Sequence, residues 1–148
     1  MDVSITYDAI MAVVEEEVSR EAAQARTAEG LSLYDELRMT SRDEAKKKRL
    51  VEEAVVVARE MLNRFADSID DTEDGVAIAL GLSSRRENGR EASINAMLRS
   101  IMASIVLNRY FLSKGRNDLA EKYNSLASAD IQALNRILYT KLPPSYPA

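Results

Sequence analysis

The chain has 148 residues, with 20 basic and 24 acidic side chains and a formal charge of −4. Cysteine, histidine and tryptophan are all absent, which excludes disulfide frameworks, thiolate metal sites, thiol nucleophiles and any triad that relays a proton through an imidazole. One domain's worth of length, 46% hydrophobic and 30% charged residues describe a globular protein, and the acidic balance argues against a broad nucleic-acid-binding surface.

At the N-terminus, Met1-Asp2-Val3-Ser4-Ile5 has neither the basic nor the apolar region of a secretory signal. Val3, Ile5 and Tyr7 alternate with Ser4 and Thr6, the period of a short half-buried strand. From Asp8, read as an N-cap, Ile10, Met11, Val14, Val18, Ala22 and Ala25 recur at helical steps, and Gly30 is expected to stop the helix. Leu31 to Met39 reads as a short helical turn with Leu33, Tyr34 and Leu37 inward.

Ser41 and Glu44 have capping-box spacing. The helix they open carries an apolar stripe through Leu50, Val51, Ala54, Val55, Ala58, Met61, Leu62 and Phe65 to Ile69. The carboxylates Asp67, Asp70, Asp71, Glu73 and Asp74 are disfavoured at the negative end of a helix dipole and are expected to end it near Ile69. Val76, Ile78, Leu80 and Leu82 alternate with Ala77, Ala79 and Gly81, a second strand. Two short strands are marginal alone, so they are expected to pair with each other as a small ribbon or with a neighbouring copy.

Ser83 to Arg90 is a polar loop. The helix after it, about Glu91 to Ser113, is apolar over most of its circumference, which marks a central helix. Gly115 and Asn117 form a tight turn, as C′ residue and next N-cap, so the last helix runs antiparallel. Its inward set is Leu119, Tyr123, Leu126, Ala127, Ile131, Leu134, Ile137 and Leu138. The predicted fold is therefore mainly α, a bundle of about four helices with two short strands. Residues 1–141 form one helical domain and 142–148 an extended proline-containing C-terminal tail. No stretch is long and apolar enough to span a membrane.

Three clusters carry candidate chemistry. Consecutive helical residues point about 100° apart, so Glu15, Glu16 and Glu17 cannot converge on one ion. Counted from Asp70, Gly75 takes the sixth position of a calcium loop, but Gly81 stands where the twelfth-position glutamate belongs. No metal or cofactor is expected, and no converging catalytic set is legible, so the chain does not read as an enzyme. Lys46, Lys47, Lys48 and Arg49 suit contact with phosphate or an acidic partner, or are the exposed face of a helix balanced by nearby glutamates. Arg85, Arg86 and Arg90 suit a contact with another subunit or with DNA in the lumen of a ring, and equally a solubilising role. Pro143, Pro144 and Tyr146 of the tail are candidate docking residues.

The order of elements resembles the small head–tail connector (neck) proteins of tailed phages and prophages, particularly those of phages that infect gut Bacteroidales. The resemblance is carried by Val76-Ala-Ile-Ala-Leu-Gly-Leu82, Ile101 to Phe111, Lys122-Tyr-Asn-Ser-Leu-Ala127, Leu138-Tyr139, Lys141-Leu-Pro-Pro144 and the opening Ile5-Thr-Tyr-Asp8. It implies a non-enzymatic virion protein, made in the host bacterial cytoplasm, that assembles as a ring with portal and tail proteins as partners. A non-specific contact with packaged DNA is left open. The family's usual aromatic after the mid-chain strand is replaced here by Ser83-Ser84-Arg85-Arg86. A small intracellular regulatory or partner-binding helical module is the competing reading. The helix after the tight turn begins Asp118-Leu119-Ala120-Glu121, which is not the basic recognition helix that DNA binding requires.

Overall fold

The chain order is β1 (Asp2–Thr6), α1 (Tyr7–Gln24), α2 (Tyr34–Leu37), a 3₁₀ turn (Ser41–Asp43), α3 (Glu44–Leu62), β2 (Ala66–Thr72), β3 (Gly75–Leu80), α4 (Arg90–Ser113) and α5 (Asn117–Tyr139). These bounds come from a computed structural model that describes residues 2–80 and 90–139. The protein is mainly helical, as its periodicity predicts, with a small antiparallel sheet at one end.

Helix α4 is the centre. It packs on α1, α3, α5 and β1, and Ile94, Leu98, Ile101, Met102, Val106 and Phe111 are each at most 1% exposed. Burial of side chains this size stabilises by about 1.5–3 kcal/mol apiece, so a helix apolar nearly all round belongs at the middle of the bundle. Its end is closed by a Schellman turn in which Arg116 N donates to Phe111 O at 2.9 Å and Gly115 N to Leu112 O at 3.1 Å. Gly115 has φ +74°, where a Cβ would be strained. Helix α5 returns antiparallel and is fastened by Asn108 Nδ2 to Ala120 O and by Ser100 Oγ to Asp130 Oδ2.

The sheet differs from the expected two-strand ribbon. Its order is β1-β3-β2, with both pairs antiparallel. The two predicted strands do pair within the chain, Val3 opposite Ile78 and Ile5 opposite Val76. The third strand lies where the sequence predicts the end of α3. That helix stops at Leu62, and Ala66–Thr72 turns back as β2, with Ile69 opposite Ile78. The reason is electrostatic as well as steric. As an edge strand, β2 leaves Asp67, Asp70 and Asp71 in water with only Ala66 and Ile69 half-buried, and inward or flanking charges are how edges avoid further pairing. One face of the sheet, Val3, Ile5, Val76, Ile78 and Leu80, is sealed against the helices.

Other boundaries shift for local reasons. Thr6 is the N-cap of α1 and Asp8 lies inside its first turn, because Tyr7 N already donates to Asp74 O at 2.9 Å. Helix α1 ends at Gln24 rather than near Gly30. Gly30 instead belongs to a closed turn held by Thr27, with Thr27 N bonded to Leu31 O and Leu31 N to Thr27 Oγ1. The capping box sits one residue earlier than Ser41–Glu44: Thr40 N and Oγ1 both donate to Asp43 Oδ2, at 2.9 and 3.3 Å. Tyr34 and Leu126, both expected inward, are 41% and 45% exposed. The inward line of α5 runs through Leu119, Tyr123, Ala127, Leu134 and Leu138, and Leu126 points about 100° away from Ala127, outside it.

Candidate interaction surfaces

Four consecutive cations at the start of α3 point in different directions, and the structure takes the predicted basic cluster apart. Lys46 reaches the far end of the bundle, where it bonds Ser113 Oγ and lies 5.3 Å from the centroid of the Tyr110 ring. Lys114 stands 5.5 Å from the same ring and 3.7 Å from Asp43. Burial, and then the like charge of Lys114, lowers the pKa of Lys46. Tyr110 itself is fully buried, and its hydroxyl donates to Leu37 O at 2.7 Å, tying α4 to α2.

Lys47 is the correction to an exposed basic face. Only 5% exposed, it bonds Glu15 of α1 at 2.5 Å and Glu44 at 2.9 Å. Burial works against its charge, but the two carboxylates outweigh it and raise its pKa. A buried cation with partners is weak evidence of stabilisation, whereas the same cation without them is costly. Lys47→Met is therefore expected to leave thermal stability within about 1 kcal/mol of the parent. Glu15→Ala with Glu44→Ala should cost about 3 kcal/mol by strandings of the ammonium, measurable by urea unfolding.

Lys48 lines an open groove of about 470 Å³ along the seam between α1 and α3, bounded at one end by the β2–β3 turn. Tyr7, Met11, Ala45 and Val51 form its apolar lining, while Asp8, Glu44, Glu52, Glu73 and Asp74 set five carboxylates against the one ammonium. Among the described residues no group of acidic side chains is arranged to hold a metal ion. On the opposite flank of α1, a second groove of about 370 Å³ runs between α1 and α5, over the small side chains Ala96, Ser100, Ala103 and Ser104 of α4. The exposed Leu126 stands at its edge.

Below Leu126 the same flank holds a polar network that joins α1 to α5. Tyr123 Oη is 3.0 Å from a carboxylate oxygen of Glu17 and of Glu21, and its single proton serves one at a time. Lys122 Nζ donates to Glu21 at 2.5 Å, and Arg20 bridges Glu17 at 2.5 Å and Glu21 at 3.1 Å. The hydrogen bond from Arg20 is the main cause holding Glu17 below its ordinary pKa. Burial opposes ionisation of Glu21, but Lys122 and Tyr123 outweigh it and its pKa is also lowered. Burial, reinforced by the two carboxylates, raises Tyr123, and burial raises Tyr110.

These shifts fix the sign of the pH response. Lowered carboxylates stabilise the fold above their unfolded value of about 4.5, and that contribution is lost as pH falls through the lower folded values. Raised phenols contribute fully below their unfolded value of 10.0 and lose that contribution as pH rises above it. Stability followed by chemical denaturation should thus be level from about pH 5 to 9 and fall on both sides. Glu21→Gln should make the acid limb shallower, with Glu17 still contributing, and should weaken the alkaline limb in part, because Glu21 helps to raise Tyr123 while burial of Tyr110 and Tyr123 remains.

Of the other predicted site residues, Arg85, Arg86, Pro143, Pro144 and Tyr146 lie outside the described residues, and Arg90 is the first residue of α4. The groove residues escaped sequence reading because they come from three segments far apart in the chain, with no common spacing. The run Asp67–Asp74 reads in the sequence as a helix terminator and a failed calcium loop, and neither reading signals an edge strand.

No family model matches the chain, and comparison with curated proteins and with solved structures gives no match either. No helix among the described residues is long and apolar enough to cross a membrane.

Proposed function

We propose that this protein is a non-catalytic assembly subunit, one member of a ring that joins head to tail in a phage virion, built in the host cytoplasm from copies of itself and set between portal and tail proteins. The observation that supports it is the pair of unlike grooves on the two flanks of α1. One is rimmed by carboxylates over an apolar floor, and the other has a floor of small α4 side chains walled by Val13, Leu107, Tyr123 and Leu126, with Glu17 and Arg99 as its charged groups. A ring needs heterologous contacts, in which one face of a subunit meets a different face of the next. A body with two chemically distinct flanks, braced by a buried helix and a polar network, suits that task. The virion setting rests on the resemblance of the element order to neck proteins.

Sedimentation velocity and negative-stain microscopy across a concentration series test the reading. Closed rings that grow in with concentration are the expected result. Replacing Arg85, Arg86 and Arg90 together by Ala should leave the far-ultraviolet circular dichroism unchanged and raise the concentration needed for assembly at least tenfold. A chain that stays monomeric at every concentration, alone and with portal protein, overturns the proposal. A steep loss of melting temperature with intact assembly would make the arginine segment structural instead.

A further inference from the structure

The groove between α1 and α3 has an occupant in the sequence itself. We propose that it receives residues 141–147 of a neighbouring copy, Lys-Leu-Pro-Pro-Ser-Tyr-Pro, bound as a polyproline-type strand. This deepens the assembly reading and rests on it.

Three observations converge. The first is composition. Pro143, Pro144 and Pro147 pre-set the backbone, so little entropy remains to be lost on binding. A polyproline helix has three residues per turn and rises about 3.1 Å per residue. Lys141, Pro144 and Pro147 therefore share one edge, about 9 Å apart, with Pro143 and Tyr146 together on another. Pro-rich strands of this kind bind apolar grooves with an aromatic wall, and the groove offers Tyr7, Met11, Ala45 and Val51.

The second is charge and size. One cation leads the strand, and the groove's rim carries Asp8, Glu52, Glu73 and Asp74 against Lys48, beside Glu44, which Lys47 engages. From Ala45 to Glu52 the α3 wall spans about 10 Å, enough to face one edge repeat, Pro144 to Pro147, with Lys141 reaching the acidic rim beyond it, and about 470 Å³ lies within the usual range for a ligand site.

The third is position, which favours a second copy. On α1, Met11 lines the seam and Glu15 reaches Lys47 of α3, whereas Glu17 and Glu21 reach Tyr123 and Lys122 of α5. The first turns of helix α5 (Asn117–Tyr139) are thus on the far flank of α1 from the groove. A subunit that holds its groove on one flank of α1 and its last helix on the other can hand the segment that follows α5 to the groove of the next copy, a head-to-tail contact of the kind that closes a ring.

The test uses the full chain with Tyr146 replaced by the photoreactive benzoylphenylalanine, mixed as isotopically heavy and light copies before irradiation. Cross-links are expected to join heavy to light chains and to map to residues 7–11 and 44–52. Glu52→Lys with Glu73→Lys, both on exposed positions, should cut the cross-link yield at least fivefold, and adding Lys141→Glu should restore it. Cross-links that map elsewhere, that stay within one chain, or that fail to form overturn the inference. If rings still assemble in that case, the ring reading survives without it. Groove cross-links in an assembly that is a closed dimer would sink the ring reading and leave this contact standing.

Discussion

Gly75→Ala is expected to lower the melting temperature by roughly 10 °C and to detach β1 from the sheet. Gly75 opens the central strand and pairs with Thr6 on one side and Thr72 on the other. A Cβ built there would lie 1.7 Å from Ile5 O, 2.8 Å from Ile5 C and 3.0 Å from Thr6 Cα. All three are backbone atoms, so no rotamer change can make room, and β1 itself must move. Val3 and Ile5, 1% and 3% exposed, would leave the core with it. A cost of about 3 kcal/mol is expected for that loss of packing and strand pairing, near 10 °C for a chain of this size. Gly115→Ala is the control. Its Cβ would meet nothing within 4 Å, and only the φ of +74° resists it, worth about 1 kcal/mol. Differential scanning calorimetry should separate the two. Equal, small shifts would mean that β1 yields without cost. Because Tyr7 and Asp8 of the α1–α3 groove follow β1 directly, Gly75→Ala should also impair assembly.

Phe111→Ala is expected to cost about 3–5 kcal/mol, the range for emptying a buried aromatic site. Phe111 is fully buried at the end of α4. Its ring stacks on Tyr123 at 5.8 Å and meets Tyr110 edge-on at 5.5 Å. It therefore supports two hydrogen-bonding phenols at once: Tyr110, which holds Leu37 O, and Tyr123, which serves Glu17 and Glu21. Losing the ring should lower the urea midpoint and also weaken the pH dependence at the acid limb, because Tyr123 loses the surface that positions it. Phe111→Leu, which keeps most of the apolar volume, should recover more than half of the stability but less of the acid limb. If both variants titrate like the parent, the aromatic ladder is packing alone and does not position the network.

The helices were legible because their signal is local and redundant. The stripe from Leu50 to Leu62 and the nearly all-apolar run from Ile94 to Phe111 each repeat one period over several turns, and the Gly115 turn has a stereochemical reason that no distant residue can alter. The alternation in Val76–Leu80 fixed strand and face alike, since a strand buries every second residue. What the chain's own order did not contain was decided by packing between segments far apart. Ala66–Thr72 carries one large apolar residue, Ile69, beside the small Ala66, and becomes a strand only because β3 is there to pair with it. Lys47 is indistinguishable in sequence from Lys46 and Lys48, and its burial follows from the position of Glu15 on a helix 32 residues earlier. The acidic groove, drawn from α1, α3 and the β2–β3 turn, is likewise a product of the bundle. Periodicity sets which side of an element turns inward, but the surface two elements make between them depends on how they are brought together, and that is a property of the tertiary fold.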